Sequence, residues 1–260
     1  MTTNPSPFIR DKNGVLHVVA LSGGHDSTAM AFLLREQNPD TPYNYVCTPT
    51  GDELPAMFAH WLDLGERLGR RLVPIMAGTL HSVIADQKML PNFRARFCTR
   101  ILKIEPYRKF LIEQAGLGPI VSYVGLRADE EGRAGGAYGD IEGIEMRFPL
   151  RDMGMGEDDV QATLRRFEVV CPDRTDCAKC YHQRLGEWYE LWLNHRDAAT
   201  EAVALETKYG ATFRTPGRDS WPTALSALFA EFAKGNIPTV SLARMKRERM
   251  AAGGCRVCSL

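Results

Sequence analysis

Along the first 165 residues the chain alternates between two hydrophobic periods. The runs "VLHVVALS" from Val15, "YNYVCTPT" from Tyr43, "RRLVPIMA" from Arg71 and "PIVSYVGLR" from Pro119 are short, apolar and rich in β-branched or aromatic residues. That is the pattern of strands buried on both faces. Between them "DSTAMAFLLREQ", "LPAMFAHWLDLGERLG" and "TRILKIEPYRKFLIEQAG" repeat their apolar residues at three and four, as amphipathic helices do. "GRAGGAYGDIEG" from Gly132 holds too few apolar residues for an element and reads as a loop. "EMRFPLRDM" reads as a further strand, and "EDDVQATLRRF" as a helix with an acidic first turn. The alternation predicts an α/β fold, a doubly wound and mainly parallel sheet with ligands at the carboxyl ends of its strands. After Phe167 cysteines, aromatics and Arg-rich helices take over. The expected division is therefore 1–165 for the sheet domain and 166–260 for a small, mostly helical, Cys-rich region.

Charge narrows the partners. Thirty-two basic and 32 acidic residues cancel, so a nucleic acid would have to be met by a local patch. The opening "MTTNPSPFIRDKNG" has no apolar signal core, and no later run approaches about 18 continuous apolar residues. A soluble, cytoplasmic protein without a membrane partner is expected. Five of the seven cysteines fall in the last 90 residues, a clustering that points to metal or sulfur chemistry rather than disulfides.

The junction "SGGHDST", Ser22 to Thr28, joins the first strand to the first helix. Glycines let a backbone approach an anion, and a helix start offers open N–H groups and a positive dipole end. Ser22, Ser27 and Thr28 add hydroxyl donors. No lysine follows the glycines, as a Walker loop would require. The sequence resembles the PP-loop, S-G-G-x-D-S, of the adenine nucleotide α-hydrolases, the ATP pyrophosphatase superfamily that includes the phosphoadenosine phosphosulfate (PAPS) reductases. The resemblance implies a PP-loop, HUP-like fold in which Ser22, Gly23, Gly24, His25, Asp26, Ser27 and Thr28 bind nucleotide. His25 stands where many members have lysine. "TPTGDELP" resembles the T-G-x-E segment that borders the nucleotide in these relatives, so Asp52 or Glu53 could hold ribose or Mg²⁺. An acidic helix start explains the pair equally well. "GLRADEEGR" resembles the family's G-x-R-x-x-E-x-x-x-R loop and makes Gly125 a nucleotide contact and Arg127 and Arg133 phosphate or sulfate ligands. "RFPLRDM…EDDV" resembles a P-L-x-x-W…D-V segment with Met153 in the aromatic position.

"FRARFCTRILKIEP" places Cys98 before a basic helix and resembles the C-T-x-x-L-K-x-x-P segment of sulfur-handling members. "CPDRTDCAKC" supplies Cys171, Cys177 and Cys180. Four thiolates complete a zinc site or a 4Fe-4S cluster, and the order resembles the cluster ligands of DNA phosphorothioation sulfur-transfer ATPases. The expected metal set is Cys98, Cys171, Cys177 and Cys180. The tail "GGCRVCSL" adds Cys255 and Cys258, either as zinc ligands with Cys177 and Cys180 or as a mobile redox or persulfide-carrying dithiol. Cys47, within a strand, reads as core.

The resemblance leaves three functions. The first is an ATP pyrophosphatase that adenylates an acceptor and lets sulfur displace AMP. Here Asp26, Glu53, Arg127 and Arg133 would surround the nucleotide with Mg²⁺, and Cys255 and Cys258 would act chemically. The second is a PAPS or adenylylsulfate reductase using a tail cysteine, and the third a non-catalytic nucleotide- and metal-binding protein. Expected partners are ATP, a nucleic-acid acceptor met by the basic "FRARFCTRILK" and "SLARMKRERM", and a sulfur-donor protein.

Overall fold

The computed structural model describes residues 7–130, 132 and 140–238. Five strands, β1 (Leu16–Ala20), β2 (Asn44–Cys47), β3 (Val73–Pro74), β4 (Ile120–Tyr123) and β5 (Ile144–Arg147), pair in parallel in the order β3-β2-β1-β4-β5. Each arises from a segment whose apolar pattern predicts a strand. Residues of β2 and β4 are all buried, whereas β5, at an edge, alternates half-buried and exposed positions. Its outward Glu145 and Arg147 pair at 2.6 Å, and charges of this kind discourage a further strand from adding there.

Successive residues of β1 feed opposite faces of the sheet. Val19 and Leu21 pack with Met30 and Leu33 of α1 (His25–Gln37), Leu64 of α2 (Pro55–Arg67) and Leu164 of α7 (Glu157–Arg166). Val18 and Ala20 pack with Tyr107, Phe110 and Leu111 of α5 (Glu105–Ala115). The sheet is thus doubly wound, as the sequence pattern predicts. The order places the reversal of winding between β1 and β4, so a crevice opens beyond their carboxyl ends.

Two features shape that crevice. α4 (Phe97–Thr99) runs through a π-helical turn, Arg100–Ile104, directly into α5. Pro106 lacks an N–H, so a regular α-helix would leave the Leu102 carbonyl without its partner, and a π turn is one way a helix absorbs such a break. In addition, a third core cluster joins Leu80 and Ile84 of α3 (Leu80–Gln87), Phe97 and Leu102 to Trp188 of α8 (Leu185–Asn194), Leu205 of α9 (Arg196–Tyr209) and Leu228 of α10 (Leu225–Ala233). The C-terminal region is helical, as expected, and packs on α3 and the α4 turn. The short helix α6 (Pro149–Asp152) follows β5. Among the described residues no helix is long and apolar enough to cross a membrane.

Candidate nucleotide and thiol site

Leu21 to Gly24 form the bend from β1 into α1. Gly23 has φ +87°, and a Cβ there would lie 2.7 Å from Trp61 Nε1 and 2.9 Å from Met57 Cε, so only glycine fits. Gly24 caps α1 without a side chain. Two side chains of α2 hold the bend. Trp61 Nε1 donates to the Ser22 carbonyl at 2.9 Å, and His60 Nε2 lies 3.1 Å from the Gly23 carbonyl. Burial depresses the His60 pKa, so the neutral ring donates Nε2–H to that carbonyl. With both carbonyls turned toward α2, peptide planarity turns the Gly23 and Gly24 N–H groups the opposite way. The Gly24 N–H meets Ser22 Oγ at 3.3 Å, and Ser22 Oγ meets Ser27 Oγ at 3.0 Å.

These hydroxyls line a cleft that opens to solvent. Its walls include Ser22 and Ser27 from the bend, Glu53 after β2, Gly125 after β4, Lys103 from the π turn and Thr175 from the Cys-rich segment. Gly125 is required by proximity, because a Cβ there would stand 3.0 Å from Ser27 Cα and N. Glu53 Oε1 accepts from Thr50 N and Thr50 Oγ1, both at 2.7 Å, while the buried Glu53 Oε2 has no hydrogen-bond partner. Thr28 is fully buried behind the bend, and His25 opens α1.

Asp26 and Arg127 come together, but inside the wall of the cleft. Arg127 Nη1 donates to Asp26 Oδ1 at 3.3 Å, both side chains being over nine-tenths buried, and Arg127 Nε donates to Asp129 Oδ1 at 2.8 Å. Burial works against the cation, yet Asp129, Asp26 and Glu130 hold its pKa above the ordinary value. The pair ties the start of α1 to the loop after β4. Asp52 likewise faces away from the cleft, ion-paired with buried Lys179, which also reaches Glu201 at 2.9 Å. Arg133, Cys255 and Cys258 lie outside the described residues, as does all of "SLARMKRERM".

A second recess, of about 390 Å³, adjoins the cleft and is lined by Cys98, Cys177 and Cys180 together with Thr50, Lys103 and Tyr181. The segment carrying Cys177 is fastened to the β2 end. Glu53 and Cys177 form an isolated antiparallel bridge, Ala178 N donates to the Asp52 carbonyl at 2.6 Å, and Lys179 N donates to Asp52 Oδ2 at 2.9 Å. From the other side the buried Arg174 donates to the Cys177 carbonyl at 3.0 Å. Thr50 Oγ1 lies 3.1 Å from Cys177 Sγ. Burial pushes the Cys177 thiol up to about 12, and Lys103 acts against that shift. Burial raises Cys98 too, with Thr99 and Lys103 opposing it. Cys171 is not in this recess. It lies in the core under α1, with its thiol against the Thr28 hydroxyl and burial pushing its pKa up to about 12. The structure therefore assembles three of the four expected thiols, and among the described residues no three His, Cys, Asp or Glu side chains stand within metal-binding reach of one point.

Residues 16–137 match the phosphoadenosine phosphosulfate reductase domain family, a span that carries the bend, β1 to β4, Glu53, Cys98 and Lys103. The match covers just under half of the chain. No curated protein matches the chain. Among solved structures the chain is similar to a PAPS reductase from Candida auris in a phosphate complex (10% identity, 60% of this chain and 74% of that chain, TM-score 0.42). It is also similar to the U34-tRNA thiolase NcsA from Methanococcus maripaludis with its 4Fe-4S cluster (18% identity, 94% and 80%, TM-score 0.46). A third is an NH3-dependent NAD synthetase from Campylobacter jejuni subsp. jejuni in complex with nitrate (14% identity, 86% and 89%, TM-score 0.40).

Four residues of the site in and around the matched stretch escape a reading of motifs. His60 and Trp61 look like ordinary members of an amphipathic helix, yet they orient the bend. Arg174 and Lys179 look like charges between cysteines, yet both are buried and brace the Cys177 segment. Lys103 is visible as one of several basic residues, and only the π turn places it where cleft and recess meet. Pro106 within a helical pattern is the one signal that the turn was there.

Proposed function

We propose that the reductase-family domain binds ATP in the cleft, cleaves it between the α and β phosphates to activate an acceptor, and serves a sulfur transfer at the adjoining thiol recess. The observation that carries this reading is the position of Lys103 on the walls of both. The bend lacks the lysine of a Walker loop, and Lys103 brings a cation to the phosphates from the π turn. The amides of Gly23 and Gly24 and the hydroxyls of Ser22 and Ser27 would cradle the inner phosphates, with Gly125 and Cys47 beside the nucleoside. Glu53 Oε2, buried, unpartnered and on the cleft wall, suits Mg²⁺ or a ribose hydroxyl. In the chemical step an acceptor oxygen attacks the α phosphorus, and pyrophosphate departs with the electron pair of the bond it breaks. Sulfur at the sulfide level then displaces AMP, forming a carbon–sulfur or phosphorus–sulfur bond with no change of oxidation state. Lys103 would stabilise charge growing on the departing phosphate. Asp26 and Arg127 act by fixing the start of α1.

Cys98, Cys177 and Cys180 would hold a 4Fe-4S cluster, whereas a zinc ion would need a fourth donor. Such a cluster, when bound, supplies a site for sulfur. A sulfur-donor protein would then deliver to the same recess. A second reading, PAPS reduction by a tail cysteine, is favoured by the name of the matching family, and the cleft suits either nucleotide. Calorimetry separates them. On this proposal ATP with Mg²⁺ binds and Glu53→Gln weakens it, while anaerobically purified protein carries iron and sulfide in about equal amounts. Binding of PAPS alone, with no affinity for ATP, would reject the proposal.

A further inference from the structure

We infer that the turn at residues 92–95 is a docking platform for a single-stranded nucleic acid, which seats one unstacked base at the mouth of the thiol recess. The inference rests on the reading that this site activates an acceptor, and it names the acceptor's class and the residues that meet it. Asn92 and Ala95 exchange backbone hydrogen bonds at 3.2 and 3.1 Å, and Asn92 Oδ1 accepts from Arg94 N at 2.9 Å and Ala95 N at 3.0 Å. A turn closed by four bonds holds its tip still, and the tip is Phe93 and Arg94. Phe93 is 49% exposed, an unusual display for a phenyl ring in a tightly bonded turn.

The ring is not isolated. Its centroid lies 5.3 Å from that of Tyr181 and 4.5 Å from that of His182, and these two are 4.4 Å apart. Tyr181 is buried and lines the recess beside Cys98 and Cys180. The aromatic cluster therefore leads from solvent to the thiols. Arg94, next to Phe93 in the turn, and Arg96 are exposed, the Arg96 guanidinium beside the Tyr181 hydroxyl. Glu105 is taken up by Arg100, and Asp176 by Arg174, so these carboxylates do not cancel the patch.

One exposed ring with two exposed guanidinium-bearing residues close to it in the chain suits a base with its flanking phosphates. A base stacks on any aromatic face, and arginine meets phosphate in bidentate fashion. A protein interface would present a wider apolar centre than a single phenyl ring. A duplex keeps its bases stacked and could not offer one to the tip of a turn. The platform reads a ring and phosphates, features that DNA and RNA share.

The test uses the full-length chain and fluorescein-labelled 15-nucleotide DNA and RNA of mixed sequence, with a duplex of the same length, followed by anisotropy at two salt concentrations. Both single strands are expected to bind within about threefold of each other, and the duplex about tenfold or more weaker. Phe93→Ala should weaken single-strand binding about tenfold, and Phe93→Trp should preserve it. Arg94→Ala should lower the salt slope by about 0.7. Phe93→Leu, which keeps apolar bulk without a ring, replaces Phe93→Ala should the latter unfold. Equal affinity for Phe93→Ala and the parent, duplex binding as tight as single-strand binding, or no binding at all would overturn the platform. Calorimetry with ATP is run on the same samples. Intact ATP binding without oligonucleotide binding rejects the platform alone, and the converse rejects the nucleotide reading alone.

Discussion

Trp61→Phe isolates the clamp that orients the bend proposed to bind phosphate. The substitution removes the Nε1–H that donates to the Ser22 carbonyl at 2.9 Å and leaves a ring of similar character in place. A hydrogen bond of this kind contributes about 0.5–1.5 kcal/mol net, and an acceptor left dry costs more. His60 still holds the neighbouring carbonyl at 3.1 Å, so the bend is loosened at one peptide. If the cradle geometry and its alternatives are near parity in the free protein, a loss of about 1.4 kcal/mol lowers the competent fraction about sixfold, and apparent affinity falls with it. The Kd for ATP should rise about five- to tenfold by calorimetry, and the melting temperature should drop by about 3–5 °C for a chain of this length. Trp61 acts before chemistry, so kcat should change less than about twofold while KM rises. A Kd within about twofold of the parent, or a fall in kcat at constant KM, would refute the argument that the indole acts by turning the Ser22 carbonyl away from the ligand.

Further predictions follow from the same contacts. The depressed pKa of His60 means that the folded chain refuses a proton which the unfolded chain accepts near pH 6.5. The stability it confers is present above that value and lost as pH falls through the folded pKa, so thermal unfolding below pH 6.5 should be less pH-dependent in His60→Gln than in the parent. Lys179→Met leaves Asp52 buried without its cation and should cost roughly 3 kcal/mol in urea unfolding, with Asp52→Asn added to it restoring part of the loss; equal stability of the single variant and the parent would show that the pair does not brace the Cys177 segment. Gly125→Ala forces a methyl to 3.0 Å from the Ser27 backbone and should weaken ATP binding at least fivefold (about 1 kcal/mol), as titration would detect. Cys47, whose thiol burial pushes up to about 12, should resist iodoacetamide at pH 8 in the native protein and react in denaturant, as peptide mass mapping would record.

The sheet was legible because its signals are local. Strands buried on two faces must be apolar runs, and Gly23, at φ +87° and against Trp61 and Met57, marks a bend that excludes other residues. The cysteines were legible as a group, but their partition was not. Spacing places Cys171, Cys177 and Cys180 in one stretch, whereas the fold turns Cys171 under α1 and carries the other two across to Cys98. Nothing in a one-dimensional pattern states which side of a loop a thiol faces. The carboxylates show the same limit. Asp52 and Glu53 are adjacent and chemically alike, yet extended backbone sends one to Lys179 and the other to the cleft. Arg127, read as a phosphate ligand from its motif, is instead held by Asp26 and Asp129.

The central claim is that the cleft between β1 and β4 directs cleavage of ATP at its inner bond. Incubating the full-length protein with Mg²⁺ and α-³²P-labelled ATP, and separating the nucleotides by chromatography, tests it most directly. The account predicts labelled AMP with an equal amount of pyrophosphate, formed by the parent and strongly reduced in Glu53→Gln and Lys103→Met. Labelled ADP, or AMP formation indifferent to both substitutions, would contradict it.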